Sequence, residues 1–194
     1  MSTEYTDQQL VSLSLNDPDK YYYLVERYEK RLLRYLHRVS NLTLECAEDI
    51  LQEVFLKTYQ NLNRFDSSLK FSSWIYRITH NEMIDTVRKQ SVRPKEVSLD
   101  DDDNEHLMNL LRSSLDVKKE AMDKELANKV QEVIYSLPIK YSEVLVLRYL
   151  EDKDYQEISD ILKKSVGTVS ALLSRAKDYF KKAAEKNNLH QLIN

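Results

Sequence analysis

The chain has a single glycine, Gly167, and only three prolines. Tight hairpin turns rely on glycine for backbone angles that other residues avoid, and proline marks most breaks in regular structure. So few breaks in 194 residues leave long stretches uninterrupted. Apolar residues recur through those stretches at steps of three and four, the period of an amphipathic helix. The sequence therefore predicts an all-α protein.

The strongest pattern runs from Leu42 to Lys89 and reads as two helices joined by the polar loop Asn63–Lys70. On the first helix, Ile50, Leu51, Val54, Phe55, Tyr59 and Leu62 form an apolar stripe that is expected to be buried. Asp49, Gln52, Glu53 and Gln60 share the opposite side, with Leu56 among them. A leucine inside a polar face suggests a protein-docking surface. On the second helix, Trp74, Arg77, Asn81, Asp85 and Arg88 align, while Phe71, Ile75, Ile78 and Thr79 lie on another side. An aromatic, an amide and two guanidiniums in one stripe suit single-stranded nucleic acid. The spacing fits equally well a solvated face with Trp74 turned into the core. In the loop, Phe65 and Leu69 either pack onto their own domain or hold a displaced base beside Lys70.

Several function classes find no support. No apolar run reaches the roughly 18 residues that a membrane span requires, and the N-terminus lacks a signal-peptide pattern. Cys46, the only cysteine, has no intramolecular partner, which fits a reducing compartment. His37, His80, His106 and His190 lack zinc-ligand spacing. No phosphate-binding glycine loop or nucleophile–base pair is present. The expectation is a soluble cytoplasmic protein with no metal, cofactor, small-molecule substrate or catalytic residues of its own.

Thr6 or Asp7 can cap a short first helix through Leu15, and Asn16-Asp17-Pro18-Asp19 ends it. A second helix, Tyr21 to Val39, sets Leu24, Tyr28, Leu32, Tyr35 and Val39 against a basic stripe of Arg27, Arg31, Arg34 and Arg38. After Lys89 the periodicity fades, and Ser98–His106 is an acidic run of the kind that repels itself. This divides the chain into residues 1–91, an acidic flexible linker over 92–124 with room for a helical turn within Leu107–Leu115, and residues 125–194. In the last part, helices are expected around Leu126–Ile134 and Tyr141–Leu150. Asp154 is expected to cap Tyr155–Leu162, and Ser165 to cap Val166 to about Ala184. Two short helices across the tight Lys163-Lys164-Ser165 connection resemble a helix-turn-helix.

The net charge of −3 hides a basic C-terminal helix, because 161–186 holds 7 basic groups against 2 acidic. Val169, Leu172, Leu173, Ala176 and Phe180 supply its apolar stripe. Gly167, Ala171, Ser174, Arg175, Asp178 and Lys182 stand opposite. A glycine in a helix costs up to about 1 kcal/mol relative to alanine. It also lets the helix N-terminus approach a phosphate closely.

These residues together resemble the extracytoplasmic-function sigma factors of bacterial RNA polymerase. Ala47–Tyr59 (AEDILQEVFLKTY) is similar to the family's polymerase-clamp-binding helix, which implies docking through Asp49, Gln52, Glu53, Phe55 and Leu56. Phe71–Lys89 resembles the helix that melts the promoter and reads its minus-ten element. This implies DNA contacts by Phe65, Lys70, Phe71, Trp74, Arg77, Asn81, Asp85 and Arg88, with a flipped base trapped in the Asn63–Phe71 loop. Leu137–Leu162 followed by SVGTVSALLSRAK resembles the helix-turn-helix that reads the minus-thirty-five element. The residues implied there are Arg148, Tyr155, Lys164, Ser165, Gly167, Thr168, Ser170, Ser174 and Arg175.

The resemblance further implies core RNA polymerase and promoter DNA as partners, and control by an anti-sigma factor that is often membrane-anchored. It also implies a linker whose aspartates imitate RNA charge. One departure stands out. The family commonly places basic residues after Gly-Thr-Val, whereas this chain has Ser170, Ala171 and Leu172, so its grip on the minus-thirty-five element is expected to be weaker or of unusual preference. Two rivals fit the residues less completely. A free-standing helix-turn-helix regulator would not need the Asp49–Phe55 face, and a protein-binding adaptor would leave Gly167 and the Trp74–Arg88 stripe without a purpose.

Overall fold

A computed structural model describes residues 5–92 and 122–187 of the chain, and within them every regular element is helical. The N-terminal half comprises α1 (Asp7–Asn16), a 3₁₀ turn (Pro18–Lys20), α2 (Tyr21–Val39), α3 (Leu44–Gln60), a second 3₁₀ turn (Leu62–Arg64) and α4 (Phe71–Val92). The C-terminal half comprises α5 (Met122–Ser136), α6 (Ile139–Leu145), a π-helical turn (Val146–Leu150), α7 (Tyr155–Leu162) and α8 (Val166–Lys186). The acidic run Ser98–His106 and the helical turn expected within Leu107–Leu115 lie outside the described residues.

Local chemistry sets the helix boundaries. Thr6 and Gln9 form a reciprocal capping box on α1, and Asp154 and Glu157 form another on α7; each satisfies two amide donors that the first turn leaves free. Thr43 and Ser165 cap α3 and α8 with their hydroxyls. Asp17 caps the turn that begins at Pro18. Lys163 ends α7 in the left-handed conformation, with φ 53° and ψ 45°, a place where helices commonly use glycine.

The expected stripes become the core. Leu24, Tyr28, Leu32, Tyr35 and Val39 of α2 are buried against α3 and α4, and Val169, Leu173 and Ala176 of α8 are buried against α6 and α7. One reading requires correction. Tyr59, expected in the buried stripe of α3, is 42% exposed. Its ring packs on Tyr21 at 5.1 Å instead, because α2 covers α3 on the Leu51 side and leaves Tyr59 at the rim.

The two halves share one hydrophobic core. α4 lies against α7, while α2 touches α5 and α6. Polar groups cross this seam in number. The Tyr35 hydroxyl donates to Glu143 Oε1, which also meets His80 Nδ1. Glu151 accepts from Arg38 at 3.0 Å and from the Tyr76 hydroxyl at 2.7 Å. Tyr135 donates to the His37 carbonyl at 2.6 Å. Burial drives the phenols of Tyr35 and Tyr76 far above their ordinary pKa, so they remain hydrogen-bond donors at all physiological pH values.

Two outcomes follow for stability. Leu32 is fully buried, so Leu32→Ala should cost about 2–5 kcal/mol in denaturant unfolding, whereas Leu56→Ala, at a half-exposed site, should stay within roughly 0.5 kcal/mol. Burial holds the His37 imidazole down to about 4 from an ordinary 6.5. The unfolded chain therefore binds the extra proton first as pH falls. The stabilisation is complete above 6.5 and is lost between 6.5 and about 4. Between pH 7 and 5 the wild type should lose about 1–2 kcal/mol more than His37→Gln, the carboxylates being common to both.

Candidate docking face and nucleic-acid interface

Helix α3 presents the docking candidates as expected from spacing. Asp49, Gln52, Glu53 and Leu56 are exposed, and Phe55 is half-buried. What the spacing did not reveal is the depression beside them. Pro18, Tyr21, Val25, Leu51, Phe55 and Tyr59 line a largely apolar groove of about 660 Å³, with Glu29 and Glu48 among its polar members. Leu56 and Gln52 form part of its wall. The exposed Tyr59 was the available signal, and its place in a regular apolar stripe concealed it.

The second group of residues gathers around an aromatic cluster. Phe65, Phe71 and Trp74 pack mutually with ring centroids 5.1–5.6 Å apart. Phe71 is only 1% exposed and sits edge-on to Tyr28, so it cannot touch DNA here. It backs Trp74 and Phe65, which are both half-buried. The two readings of Trp74 thus merge, since its ring is packed on one side and reachable on the other. Asn81 and Arg88 are exposed, while Arg77 and Asp85 are partly covered. Arg88 pairs with Asp85 at 3.0 Å, and Lys70 lies 3.6 Å from Asp154 and 3.5 Å from Glu157 of the C-terminal half.

The basic stripe of α2 is largely engaged within the protein. Arg27 binds Asp7 at 2.6 Å and the Tyr5 carbonyl at 2.7 Å. Arg38 binds Glu151. Arg31 is exposed and sits over the Tyr28 ring.

On the C-terminal half, Lys164, Ser165, Gly167, Thr168, Ser170, Ser174 and Arg175 are all exposed at or near one end of α8. Ser165 Oγ accepts from the Thr168 amide at 3.2 Å and lies 2.9 Å from Thr168 Oγ1. The hydroxyls thereby frame a helix N-terminus whose remaining amides favour an anion. Arg148 is partly turned inward, donating to the Lys153 carbonyl at 2.9 Å while its guanidinium sits 5.7 Å from the Tyr155 ring. Its present work is to brace the turn before α7. Lys177, absent from the expected contacts, lies 5.6 Å over Tyr149 on the outside of the same half.

Gly167 has a backbone that any residue could adopt, as its φ is not positive. A methyl group there would meet nothing closer than Ser165 Oγ at 4.0 Å. The positive φ angles belong instead to Asp152 and Lys163. Folding therefore gives no reason for the glycine, and close approach of an external group to the helix end does. Among the described residues, no cluster of side chains could hold a metal ion, and no helix is long and apolar enough to cross a membrane.

Residues 24–93 match the Sigma-70 region 2 family, and residues 127–179 match the Sigma-70, region 4 family. The ECF RNA polymerase sigma factor SigW of Bacillus subtilis is 31% identical over 180 residues, spanning 90% of this chain and 94% of SigW. The chain belongs to the ECF RNA polymerase sigma factors. Solved structures agree on the fold of this sigma factor. CnrH, solved with the cytosolic domain of CnrY, superposes with a TM-score of 0.67 at 19% identity, covering 93% of this chain and 97% of CnrH. The sigma factor RpoE of Bartonella quintana, solved with the anti-sigma factor NepR, gives 0.63 at 16% identity, covering 85% and 96%.

The buried groups at the seam were not singled out from the sequence of the sigma factor. A carboxylate inside the apolar run YSEVLVLRYL, Glu143, was the signal that could have found them.

The position of Gly167 leads to a separable outcome. Gly167→Ala should stabilise the sigma factor by about 0.4–1 kcal/mol, since it lowers the entropy of the unfolded chain without strain. The same variant should weaken DNA binding by its C-terminal half. Thermal melting and a DNA titration read the two effects independently, and a gain in stability with unchanged affinity would remove the phosphate role.

Proposed function

We propose that this sigma factor docks on core RNA polymerase through the outward face of α3, with Asp49, Gln52, Glu53 and Leu56 as the contact and Phe55 lining the groove behind them. The observation that carries this is the half-exposed Leu56 set among exposed polar residues on the rim of an apolar groove. A hydrophobic anchor within a polar rim is the usual anatomy of a protein interface.

In this reading Trp74 and Phe65 stack an unpaired base, and Asn81, Arg77, Lys70, Asp85 and Arg88 position the strand at the minus-ten element. The N-terminal end of α8 enters the major groove at the minus-thirty-five element. There Arg175 is the cation best placed for a base edge, with Lys164, Ser165, Thr168 and Ser174 beside it and Arg148 and Tyr155 supporting the first helix. The domain limits proposed are 1–91 and 125–194. The polymerase performs all the chemistry, and this chain contributes promoter choice and strand opening in the cytoplasm. Two solved relatives in fold carry a bound regulatory partner. An anti-sigma factor, anchored at the membrane, is accordingly proposed to hold this chain until a signal releases it.

Run-off transcription with core polymerase on genomic fragments tests the whole reading, and absence of any promoter-dependent transcript would overturn it. Charge reversal at Asp49 and Glu53 should weaken polymerase binding without shifting the thermal melt, because both side chains are exposed. Trp74→Ala should slow strand opening more than promoter binding, with a loss of about 1–3 kcal/mol in stacking, and a pre-melted bubble should restore most of it. A lowered melting temperature with no rescue by the bubble would assign Trp74 to the core alone.

A further inference from the structure

We infer that the contact between the two halves is an intramolecular latch, closed by Glu143 and Glu151, which must open before this sigma factor can read a promoter. The inference rests on the promoter assignment above and goes beyond it, since that assignment says nothing of how the halves sit in the free chain.

Geometry makes the closed form incompetent. Elements centred near minus ten and minus thirty-five are about 25 base pairs apart, or roughly 85 Å of duplex at 3.4 Å per pair. Yet Lys70, beside the minus-ten cluster, is within 3.6 Å of Asp154, the cap of the first helix of the helix-turn-helix. A chain folded this way cannot place both readers at once. The span between Val92 and Met122, about thirty residues, can reach at most roughly 100 Å when extended, which is enough for the open form.

The seam is built so that its two sides recognise each other. The C-terminal half contributes carboxylates, Glu143 and Glu151, which are 3% and 7% exposed. The N-terminal half contributes donors: Tyr35 and His80 to Glu143, and Tyr76 and Arg38 to Glu151. Both oxygens of Glu151 are used, one by each donor. Lys153, 5% exposed, packs its ammonium 4.7 Å from the Tyr76 ring and 3.7 Å from Glu157. At the margin, Lys70 bridges Asp154 and Glu157. Buried charges paired across an interface specify one docked arrangement, and removing one partner is far costlier than never burying the pair. On opening, each carboxylate regains water, so separation of the halves is not blocked by a stranded charge. The shared core supplies adhesion, and the carboxylates supply a single registered closed state.

The test uses the full chain in a Cys46→Ser background, with spin labels at Glu26→Cys and Asp178→Cys. Both positions are exposed and lie outside the proposed contacts. The wild type should give one narrow distance distribution, and core polymerase should convert it to a longer one. Glu143→Gln with Glu151→Gln should shift the closed-to-open ratio by about a hundredfold without polymerase, the effect expected when a buried hydrogen-bonded charge loses its partner. Should that variant lose its helical circular dichroism, Tyr35→Phe with Tyr76→Phe removes two donors and keeps the packing; it should open the chain likewise. A broad distribution in the wild type, or a narrow one surviving in the folded variants, overturns the latch. Promoter-dependent transcription, measured separately, reports on the sigma-factor reading alone, so the two can fail independently.

Discussion

Two carboxylates taken out of water fix where the halves of this molecule sit. Glu143 and Glu151 project from the π-helical turn and its neighbours in the C-terminal half, and their hydrogen-bond donors come from α2 and α4 of the N-terminal half. An isolated buried carboxylate would cost several kcal/mol. Each is instead given two donors, and the long side chains of Tyr35 and Tyr76 fill the surrounding core. The helices most concerned with function, α4 and the α7–α8 pair, are thus placed by the same contact.

The electrostatics of the surface can be read in that light. A net charge of −3 conceals a donor-rich face on one half and an acid-rich face on the other. Exposed partners such as Lys70 with Asp154 add little to stability, because water and salt screen them. Their contribution is alignment of the faces. Arg38 and Lys70 are occupied by carboxylates within the protein, while Arg175 and Lys164 stay exposed. The cations are therefore divided between those held at the seam and those presented outward.

Helix existence and facing were legible because they depend on local spacing. The caps at Thr6, Asp154 and Ser165 are short-range chemistry, and each is where the residue pattern placed it. The outward set on α8 and the polar face of α3 were legible for the same reason. What periodicity cannot express is which of several partners covers an apolar position. Tyr59 fits its stripe yet stands at a groove rim, and Phe71 lies behind the aromatic cluster rather than on its surface. The seam was illegible in a deeper way, since Tyr35 and Glu143 are 108 residues apart and each reads alone as an ordinary member of its helix.

The π-helical turn gives that seam an unusual dependence on counting. The Glu151 amide reaches back five residues to the Val146 carbonyl at 3.0 Å, where a regular helix would close over four. Deleting any one residue from Val146–Leu150 would let the turn relax to a normal helix and swing whatever follows by about 100°. Glu151 would still be present, yet it would point away from Arg38 and Tyr76. Among relatives of this chain, a change in the length of this turn would therefore alter the association of the halves as surely as loss of the carboxylate, and inspection of residue identities alone would miss it.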